Sequence, residues 1–595
     1  MAGKPTPLFY AAVVAVVLAL IGFAIFQAGD ILAPGGGDAA TNATSGSSGD
    51  TDIDLKQITG AEDDSNPSGV TTVKEYSFKP SERLPAVSGT AAYKAMEDNT
   101  VRFALNVWAG WAPIIQANNG FRADKVWKTA GGKEFKVELV LIDNPVEMRD
   151  AYAAGEVHIG WATLDMMPLF MEGFVKRNGD PVDSRVMPRI FQQVDWSNGG
   201  DGIVARNGIS SVGDLRGKKI VLAENSPSEY FVLNMLVYAG VQPGEVEFVY
   251  TNDAFAAAAA FDADKSIDAV VSWAPDIYNL SDQKGNNLVV STLTANKLIA
   301  DVWFARADFA KENPDICEGL VRGIFDAMQE LNTDEAKKNV AQLMADGYGL
   351  PADEAFGMLA DAHSTNWAEN YQFFLNQNNP ANFERVWNQA YYIYKKVRKI
   401  THQKVKFDKV VDFSIIEKLG KEEKYSSQTD EYSVPFIPTT TSQVRGAEEI
   451  LTNTVVIHFF PNSSDLYKKV TRKIVTKEKG KKVEKDVEVE YDPKVDFVLE
   501  EIAKLAGQFG TARIVIEGHT DSSMKGKAPV SLVKELSGSR AGAVKEALAK
   551  KYDLDPNQFN VDGLGWDRPA DSNDPLNHAQ NRRVEIKVYP AESLN

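Results

Sequence analysis

Short apolar runs of strand length alternate with amphipathic stretches of helix length over residues 101–277. The apolar runs are FALNVW, FKVELVLI, HIGWAT, KKIVLA, EVEFVY and DAVVSW, and the stretches between the later ones include SEYFVLNMLVYAG and NDAFAAAAAFDA. Strands separated by helices of this length predict βαβ units and a mostly parallel sheet. Residues 306–400 have a mainly helical pattern, with turns at Pro314 and Pro351.

A second alternation follows a polar stretch, residues 419–446, which predicts an interdomain linker. The pattern beyond it predicts the strand TVVIHFF, the helix VDFVLEEIAKLAG, the strand ARIVIEG, the helix ELSGSRAGAVKEALAKKY and the strand RRVEIKVY. Between the first strand and the first helix, lysine-rich residues 468–492 alternate with period two about Lys479-Gly480, which predicts a protruding β-hairpin. Its charges either keep an exposed ribbon soluble or contact an acidic polymer.

The N-terminal residues 8–27, LFYAAVVAVVLALIGFAIFQ, contain no charged side chain. A helix of this length spans about 30 Å, the hydrocarbon thickness of a bilayer. We expect an uncleaved transmembrane anchor within residues 1–30, because a signal peptide has a shorter apolar region and QAGDILAP is a poor cleavage site. Lys4 precedes the segment and Asp30 follows it, so the positive-inside rule places the N-terminus in the cytoplasm and the bulk of the chain outside. Residues 31–100, which begin rich in Gly, Ser, Asp and Thr, predict a flexible linker.

Chain length, net charge and cysteine content limit the number of domains and the kinds of partner and site. A chain of 595 residues is long enough for about two to four domains. The net charge of −18 excludes a nucleic-acid partner, because binding phosphate requires a basic surface. Cys317 is the only cysteine, so an intramolecular disulfide and a thiolate zinc site are excluded, and a small buried side chain in a helix is expected there.

The stretch IVIEGHTDSS, residues 514–523, places His-Thr-Asp directly after an apolar strand. A metal site is disfavoured, since His519 has no second histidine at ligand spacing, and no Ser or Cys lies in the sequence context of a catalytic nucleophile. We therefore expect no catalytic residue, metal or cofactor, and no enzyme. Asp521 after the strand and Arg540 in the next helix could instead form a socket for a zwitterion that carries an ammonium and a carboxylate. The alternative is an ordinary surface ion pair.

Four ordered motifs of this region, EGHTDSS, LSGSRAGAVKEAL, VDGLGWDRPADSN and NRRVEIKV, resemble the OmpA-like peptidoglycan-binding domain. The resemblance implies that Asp521 and Arg540 hold the diaminopimelate of the peptidoglycan stem peptide. It also implies supporting roles for Thr520, Asn573, Asn581 and Arg582. The sequence departs from the family pattern in a longer loop after Asp521 and in Val533, where the family commonly has Asn.

In the middle region, AENSPSEYFVLNML places Ser226 and Ser228 where a strand leads into a helix. Free backbone N–H groups and hydroxyls at such a junction either bind an anion or simply cap the helix. Four tryptophans, Trp108, Trp111, Trp161 and Trp273, lie at or just after strand ends, where ligands bind in open α/β sheets.

Residues 101–415 resemble the periplasmic solute-binding proteins of the nitrate, sulfonate, taurine and thiamine-precursor type. The matching stretches are VWAGWAPIIQANNGF, DAYAAGEVHIGWATLDMM, GISSVGDLRGKKIVLAENSPSEYFVLNMLVYAGV and AAAAAFDADKSIDAVVSWAPDI. The resemblance implies two α/β lobes on a hinge with a small solute between them. The cleft would then include Trp111, Ala112, Pro113, Thr163, Asp165, Ser226, Ser228, Trp273 and Asp276. The solute stays open: Ser226 and the helix end suit an anion, whereas the tryptophans with Asp165 and Asp276 suit a cationic or aromatic amine.

The two resemblances together imply an α/β fold of the two-lobed periplasmic-binding-protein type, joined to a smaller α+β OmpA-like domain and preceded by a transmembrane helix. The expected domains are the anchor at 1–30, a linker at 31–100, the solute-binding domain at 101–418, a linker at 419–446 and the OmpA-like domain at 447–595. The expected function is that of a binding protein anchored in the inner membrane, located in the periplasm and bound to peptidoglycan. Such a protein would serve uptake through an ABC permease, or sensing. The alternative is a structural cell-wall tether in which the solute-binding fold is a spacer or a docking module.

Overall fold

The computed structural model describes residues 76–80, 82–433, 435–478, 481–570, 572–576 and 578–590. The expected transmembrane anchor and the linker up to residue 75 lie outside these residues. Among the residues that the structure describes, no helix is both long enough and apolar enough to cross a membrane.

The strands are named in chain order. They are β1 (Thr100–Leu105), β2 (Val126–Lys128), β3 (Glu134–Leu141), β4 (Ile159–Thr163), β5 (Pro188–Ser197), β6 (Asp201–Arg206), β7 (Lys219–Ala223), β8 (Glu247–Thr251), β9 (Ala269–Trp273), β10 (Asn286–Ser291), β11 (Ala300–Arg306), β12 (Ala362–Ser364), β13 (Leu451–Val455), β14 (Lys469–Glu478), β15 (Lys481–Glu490), β16 (Arg513–His519), β17 (Phe559–Gly565) and β18 (Val584–Tyr589).

The α-helices are named in the same way. They are α1 (Ala112–Asn118), α2 (Pro145–Ala153), α3 (Met167–Phe174), α4 (Pro227–Tyr238), α5 (Ala254–Ala263), α6 (Asp276–Ser281), α7 (Ala307–Glu312), α8 (Pro314–Glu330), α9 (Asp334–Tyr348), α10 (Ala352–Met358), α11 (Trp367–Phe374), α12 (Phe383–Lys396), α13 (Ser414–Leu419), α14 (Glu423–Ser426), α15 (Thr441–Val444), α16 (Val495–Gln508), α17 (Val530–Tyr552) and α18 (His578–Asn581). Short 3₁₀ turns lie at Glu97–Asn99, Ala109–Trp111, Ser184–Val186, Val212–Leu215, Pro243–Glu245, Leu359–Asp361, Phe407–Lys409, Ser522–Met524 and Pro556–Gln558.

The first lobe is built on a seven-stranded sheet in the order β12-β5-β11-β4-β1-β3-β2. Its central strands β4, β1 and β3 are parallel, as the alternating pattern predicts, but the neighbouring pairs β4–β11, β11–β5, β5–β12 and β3–β2 are antiparallel. The prediction of a mostly parallel sheet is therefore wrong for this lobe. The reason is that β5 carries the chain out of the lobe and β11 brings it back, so the two strands run in opposite directions beside each other.

The second lobe contains a five-stranded sheet in the order β10-β6-β9-β7-β8. Here β9, β7 and β8 are parallel, and β6 and β10 are antiparallel additions at one edge. The six strands and two helices that the apolar pattern predicts are all confirmed within one to three residues. The strands of the two lobes that the pattern missed include those that connect the lobes; they are β2, β5, β6, β10, β11 and β12.

The C-terminal region contains a four-stranded sheet in the order β13-β18-β16-β17, against which helix α17 packs, and the separate hairpin β14–β15. The predicted hairpin is confirmed, although its turn at residues 479–480 lies outside the described residues. Helix α16 and strand β16 match their predictions, whereas β17 was not predicted, because its sequence FNVDGLG has little apolar alternation.

The segment that composition identifies as a linker, residues 419–446, is held against the first lobe. Arg322 in α8 forms an ion pair with Glu422 at 2.5 Å, and Tyr425 is buried. Further along, Tyr432 stacks on His363 with ring centroids 3.9 Å apart and donates a hydrogen bond to Asn198. Polar composition indicates a connection between domains, but it does not show whether other residues hold that connection in place.

The linker prediction for residues 31–100 needs correction at its C-terminal end. Residues 76–99 run along both lobes: the Gly244 N–H donates to the Ser77 carbonyl at 2.7 Å in the second lobe, and the Arg306 guanidinium donates to the Ala91 carbonyl in the first. Gly155, with φ of +76°, permits the close approach of this arm, because a Cβ at that position would lie 2.3 Å from the Ala92 oxygen. These partners are distant in sequence, which is why composition alone suggested flexibility.

The C-terminal domain packs against the solute-binding region through helix α16. Its last residue, Gln508, accepts a hydrogen bond from Tyr238 at the end of α4, and the Gln508 carbonyl accepts from the Lys297 N–H at 3.1 Å. On the other side of α16, Glu500 pairs with Arg385 of α12, a helix that packs against both α3 of the first lobe and α4 of the second. The domain is thus in contact with the second lobe and with the helix that joins the two lobes.

Candidate functional sites

Four aspartates are buried where the two lobes meet. The chain passes between the lobes at residues 197–201 and 291–300; Asp195 and Asp201 flank the first passage and Asp301 follows the second. Asp165 lies just after β4 in the first lobe. All four side chains are between 0 and 5% exposed. Carboxylates are rarely buried to this extent without a charged partner.

Asp195 and Asp301 lie opposite each other on the neighbouring strands β5 and β11. The indole N–H of Trp108 donates to Asp195 Oδ2 at 2.9 Å. Burial raises the pKa of Asp195 to about 7, and burial together with the Asp195 carboxylate raises the pKa of Asp301 well above its ordinary range. The pair therefore retains a proton at neutral pH, as two adjacent carboxyls do when both cannot ionise.

Asp165 faces groups from three different elements. Burial raises its pKa to about 7, and the nearby hydroxyls of Thr163 and Tyr394 offset this in part, although neither makes a hydrogen bond of normal geometry to the carboxyl. Burial and the Asp165 carboxylate raise the pKa of both Tyr230 in α4 and Tyr394 in α12. The two tyrosine rings lie 6.3 Å apart. Asp165 thus brings together the first lobe, the second lobe and the connecting helix.

Asp201 begins strand β6 beside the first passage between lobes. Its Oδ2 accepts a hydrogen bond of 2.7 Å from Ser197, whose hydroxyl also lies 2.9 Å from that of Thr292 on the second passage. Burial raises the pKa of Asp201 to about 7. Trp273, at the end of β9, is the partner of Asp201 across the sheet, and its indole N–H makes no hydrogen bond to a described residue.

At the start of helix α4, several of the groups that could bind an anion are already bonded to other residues. The Ser226 hydroxyl donates to the Ala223 carbonyl at 2.9 Å, whereas the buried Ser228 hydroxyl has no hydrogen-bond partner among the described residues. In the first turn, buried Glu229 lies 3.2 Å from Lys399, and Lys399 also pairs with Glu224 at 3.0 Å. The lysine at this helix end is therefore already paired with two carboxylates.

The structure places the other expected cleft residues in different surroundings. Trp111 is fully buried in the first lobe, where its indole N–H donates to Asn106 at 2.8 Å, and Ala112 and Pro113 are buried at the start of α1. Asp276 begins α6 and is only half-buried, unlike the four buried aspartates. Trp108, rather than Trp111, contacts the passage between lobes, since a Cβ on Gly200 would lie 2.4 Å from its ring.

Sequence reasoning missed Asp195, Asp201 and Asp301. A usable signal was present: the stretch IFQQVDWSNGGDGIVA contains a strand-like apolar pattern interrupted by Asp195 and Asp201. Acidic residues inside such strands are either exposed on a solvent face or buried at a site. Only the partner strands decide between these outcomes, because they determine which face is covered.

In the C-terminal domain, Asp521 follows strand β16 and is 1% exposed. Burial alone would raise the pKa of Asp521, but hydrogen bonds from Ser523 and Arg582 outweigh it and hold the pKa below its ordinary value. His578 Nδ1 lies 3.3 Å from the other carboxylate oxygen. Asp521 is therefore an ionised carboxylate in a buried position, with Arg582 as its direct partner.

Arg540 projects from helix α17 toward the segment after β13. Its Nε donates to the Ser463 carbonyl at 3.0 Å, and its guanidinium lies 5.0 Å from the centre of the Phe459 ring. Arg540 and Arg582 line the same narrow cleft together with His458 and His519. The structure thus brings Arg540 to the cleft that Arg582 shares, while the direct partner of Asp521 is Arg582.

The remaining expected pocket residues are distributed around this cleft. Thr520 is buried and its backbone N–H donates to Gly565. Asn581 is buried and its side chain bridges the Ala570 N–H and the Pro575 carbonyl at 2.7 and 2.9 Å, which organises the loop before β18. Asn573 is exposed on that loop.

Three residues beside this cleft could hold a metal ion by their chemistry: Glu517, His519 and Glu585 offer ligand atoms all within 4.8 Å of one another. Arg445 already binds Glu517, however, and Arg583 binds Glu585 at 2.6 Å. Burial and Arg583 lower the pKa of His519 to about 4, so its ring is neutral at neutral pH. Because guanidinium groups balance both carboxylates, the set fits a buried ion network better than a divalent-cation site.

Comparisons with known proteins match these two regions separately. Residues 190–334 match the NMT1/THI5 like family model, and residues 488–583 match the OmpA family model. The chain is 28% identical over 248 residues to the taurine-binding periplasmic protein of Escherichia coli, which covers 41% of this chain and 70% of that protein. It is 35% identical over 110 residues to the outer membrane protein Omp38 of Acinetobacter baumannii, which covers 18% of this chain and 29% of that protein.

Among solved structures, the periplasmic aliphatic sulphonate-binding protein of Escherichia coli aligns with a TM-score of 0.40 and 17% identity, over 52% of this chain and 97% of that structure. The family matches identify two separate regions of the chain, one similar to solute-binding proteins and one similar to the OmpA family. The chain carries an NMT1/THI5-like solute-binding domain followed by a C-terminal OmpA domain. The fusion that the sequence motifs predict is thereby confirmed.

Proposed function

We propose that this protein is a cell-envelope receptor that captures a small solute between its lobes and attaches to peptidoglycan through its C-terminal domain. The observation that supports solute capture is Asp165, a buried carboxyl at the junction of the lobes whose two oxygens make no hydrogen bond of normal geometry to a described residue. Buried polar groups in native proteins are normally satisfied, so such groups mark a place that another molecule completes.

The geometry supports a hinge mechanism. Asp165 and Thr163 belong to the first lobe, whereas Ser228 and Tyr230 belong to helix α4 of the second, and all four have an unpartnered polar atom among the described residues. A solute that bonds to both sets gains more contacts in the closed form than in the open form. Binding therefore favours closure about the two passages between lobes, as in hinged binding proteins.

The second half of the proposal rests on the cleft of the OmpA domain. Asp521 is held ionised in a buried position, and Arg540 and Arg582 lie at the neighbouring cleft. A buried carboxylate beside a cleft that guanidinium groups line complements the ammonium and the carboxylate of a diaminopimelate side chain. Thr520, Asn573 and Asn581 would shape the surrounding loops.

The combination of a solute-binding domain with an OmpA domain supports the transport role that we propose. We infer that residues 1–30 anchor the protein in the inner membrane, that the bulk of the chain lies in the periplasm, and that the solute is passed to an ABC permease or reported by sensing. We propose binding rather than catalysis, since the taurine-binding periplasmic protein that this chain resembles is named as a binding protein.

Two measurements test the proposal. Native mass spectrometry of the full-length chain, purified in detergent without refolding, should reveal a discrete small molecule bound to the protein. Sedimentation with purified peptidoglycan sacculi should carry the protein into the pellet, and Asp521→Ala should leave it in the supernatant. Sedimentation without any solute, together with an empty cleft, would favour the alternative of a structural tether in which the two lobes act as a spacer.

A further inference from the structure

The four buried aspartates at the junction of the lobes have no lysine or arginine partner in the described part of the chain. None of Asp165, Asp195, Asp201 and Asp301 forms an ion pair with a described lysine or arginine, and the charged groups that shift their pKa values are one another, Asp361 and His363. Asp301 lies opposite Asp195 on β5 and opposite Thr163 on β4, and Asp165 follows Thr163 by two residues. The carboxylates of Asp165, Asp195 and Asp201 each contribute to the raised pKa of Asp301. A positive charge placed at the junction of the lobes would be attracted by each of these carboxyls that is ionised.

The desolvation cost of the buried carboxylates favours a bound cation at the junction of the lobes. Removing an isolated carboxylate from water costs several kcal/mol even after relaxation of the surroundings, and the usual remedies are protonation or a cationic partner. Burial raises the pKa of Asp165, Asp195 and Asp201 to about 7, which leaves the cluster partly protonated and partly ionised at neutral pH. A cationic partner would remove the remaining cost, and the protein itself supplies none among the described residues.

A second, independent observation points to a ligand at the same place. The Ser228, Tyr230 and Tyr394 hydroxyls are buried and make no hydrogen bond of normal geometry to a described residue, although Tyr394 lies near Asp165 and Tyr230 near Asn234. Tyr230 and Tyr394 lie close enough to Asp165 for its charge to raise their pKa values. Hydroxyl oxygens and a carboxylate are acceptors for a group with several N–H donors, and a primary ammonium carries three in a compact volume.

The alternative is an anionic solute, and the surroundings disfavour it. The helix end that could bind an anion has Glu229 in its first turn, and Lys399, the nearby cation, is already paired with Glu224 and Glu229. The Ser226 hydroxyl is engaged with the Ala223 carbonyl. An anion in the cleft would therefore face four carboxyls without a free basic side chain from the described residues.

We propose that the solute of this protein is a small organic cation, a primary amine whose ammonium group binds Asp165 together with Tyr230 and Tyr394, and that simple sulfonates are excluded. This inference rests on the proposed function as a solute receptor and names the chemical class of its ligand. It also distinguishes the chain from the relatives that are named for taurine and sulphonate.

The test is isothermal titration calorimetry on the full-length protein in detergent, after removal of bound small molecules by extensive dialysis. Four probes are compared: ethanolamine, 1,4-diaminobutane, taurine and ethanesulfonate. We expect at least one of the two amines to bind, taurine to bind at least roughly 10-fold more weakly than that amine, and ethanesulfonate to show no binding. Because a charge-assisted hydrogen bond contributes about 1.5–3 kcal/mol, Asp165→Asn should weaken amine binding by roughly 10- to 150-fold.

Two further variants keep the test decisive if Asp165→Asn affects folding. Tyr394→Phe removes one unpartnered hydroxyl and no packing volume, and should weaken amine binding by several-fold. Asp282→Asn removes an exposed carboxylate at the end of α6 and should bind the amine as the parent protein does.

Each outcome decides between the possibilities. Binding of taurine as tight as that of the amines, or binding of ethanesulfonate alone, overturns the cationic solute while the receptor function stands. Amine binding that is unchanged in Asp165→Asn and Tyr394→Phe overturns the site. Failure of all four probes to bind counts against the cationic solute and, together with an empty cleft in native mass spectrometry, against the receptor function as well.

Discussion

Arg385 in the helix that connects the two lobes donates a hydrogen bond of 2.6 Å to Glu500 in the first long helix of the OmpA domain. Seen with the hydrogen bond from Tyr238 to Gln508 at the other end of that helix, this ion pair attaches the OmpA domain to the lobes at two points. The solute-binding region and the envelope domain are therefore packed together rather than separated by a free tether.

We expect Arg385→Ala to loosen this packing. The ion pair is partly buried, so its loss should cost about 1 kcal/mol and raise the fraction of undocked molecules roughly 5-fold. Limited proteolysis within residues 427–440 measures this as faster cleavage between the two regions. Lys551→Ala, which removes the exposed pair with Asp496 inside the OmpA domain, is the matched control. An unchanged cleavage rate in Arg385→Ala would show that this contact does not hold the domain.

Peptidoglycan binding should depend on Asp521 and persist at mildly acidic pH. The folded protein holds the pKa of Asp521 below its ordinary value, so the carboxylate stays ionised as pH falls from 7 to about 5, and its contribution is lost only when pH falls through the lowered pKa. Sacculus sedimentation across this range should be constant for the parent protein and absent for Asp521→Ala. Lys550→Ala, at the far end of helix α17, should sediment normally. Loss of the parent protein's binding already at pH 6 would contradict the assignment.

Arg582→Ala should weaken peptidoglycan binding, because Arg582 is the direct partner of Asp521. Removal of the guanidinium leaves the buried Asp521 carboxylate without its direct partner, which typically costs about 3–5 kcal/mol. We therefore expect a lower melting temperature of the C-terminal domain in addition to weaker sedimentation. Arg582→Lys should restore part of the stability, since it returns a cation without the planar guanidinium. Normal stability in Arg582→Ala would mean that another group pairs with Asp521.

The four buried aspartates should make the solute-binding domain less stable as pH rises. Burial raises the pKa of Asp165, Asp195 and Asp201 from about 3.8 to about 7, so the folded protein binds more protons than the unfolded chain between these values. The free energy of unfolding must then fall as pH rises from about 4 to about 7. Calorimetry at pH 5 and pH 8 should show the difference, and Asp165→Asn should reduce it. Equal stability of Asp165→Asn and the parent protein at both pH values would argue against this linkage.

Gly110→Ala should strain the same region. A Cβ at Gly110 would lie 1.2 Å from Asp195 Oδ2 and 2.7 Å from the Trp108 Nε1 that donates to it. Either Asp195 must shift and lose the hydrogen bond from Trp108, or the turn at Gly110 must shift. We expect the free energy of unfolding to fall by about 2 kcal/mol or more. Gly357→Ala, in the exposed helix α10 with no atom within 4 Å of the new Cβ, should be neutral or slightly stabilising. Thermal unfolding of both variants checks the contrast.

Several features could be predicted from local sequence, because they depend on neighbours a few residues away. The parallel strands β1, β3, β4, β7, β8 and β9 follow from apolar runs bounded by turns, and the hairpin β14–β15 follows from period-two alternation. Asp521 could be placed at a strand end for the same reason. The motifs that carry the two resemblances are also local, which is why the amino-acid sequence alone indicates the fusion of the two domains.

Other features depend on residues that are distant in sequence. Strands β5 and β11 are antiparallel because the chain leaves the first lobe after β5 and returns to it at β11. Asp195 meets Asp301 only because these two strands are neighbours in the sheet. The arm at 76–99 is ordered by partners such as Arg306 and Gly155, which composition does not show. The partner of Asp521 is Arg582, 61 residues away, while Arg540 bonds to backbone carbonyls.

By itself, the sequence determined the order of the elements, the two domain types and the charged residues available to each site. Only the tertiary structure decided which of those residues meet, which are buried and which carry unbalanced charge. The physical reason is that secondary-structure periodicity is a property of adjacent residues. Burial and charge balance depend instead on which strands and helices pack together, and the packing of the two lobes is what encloses the four aspartates without a basic partner among the described residues.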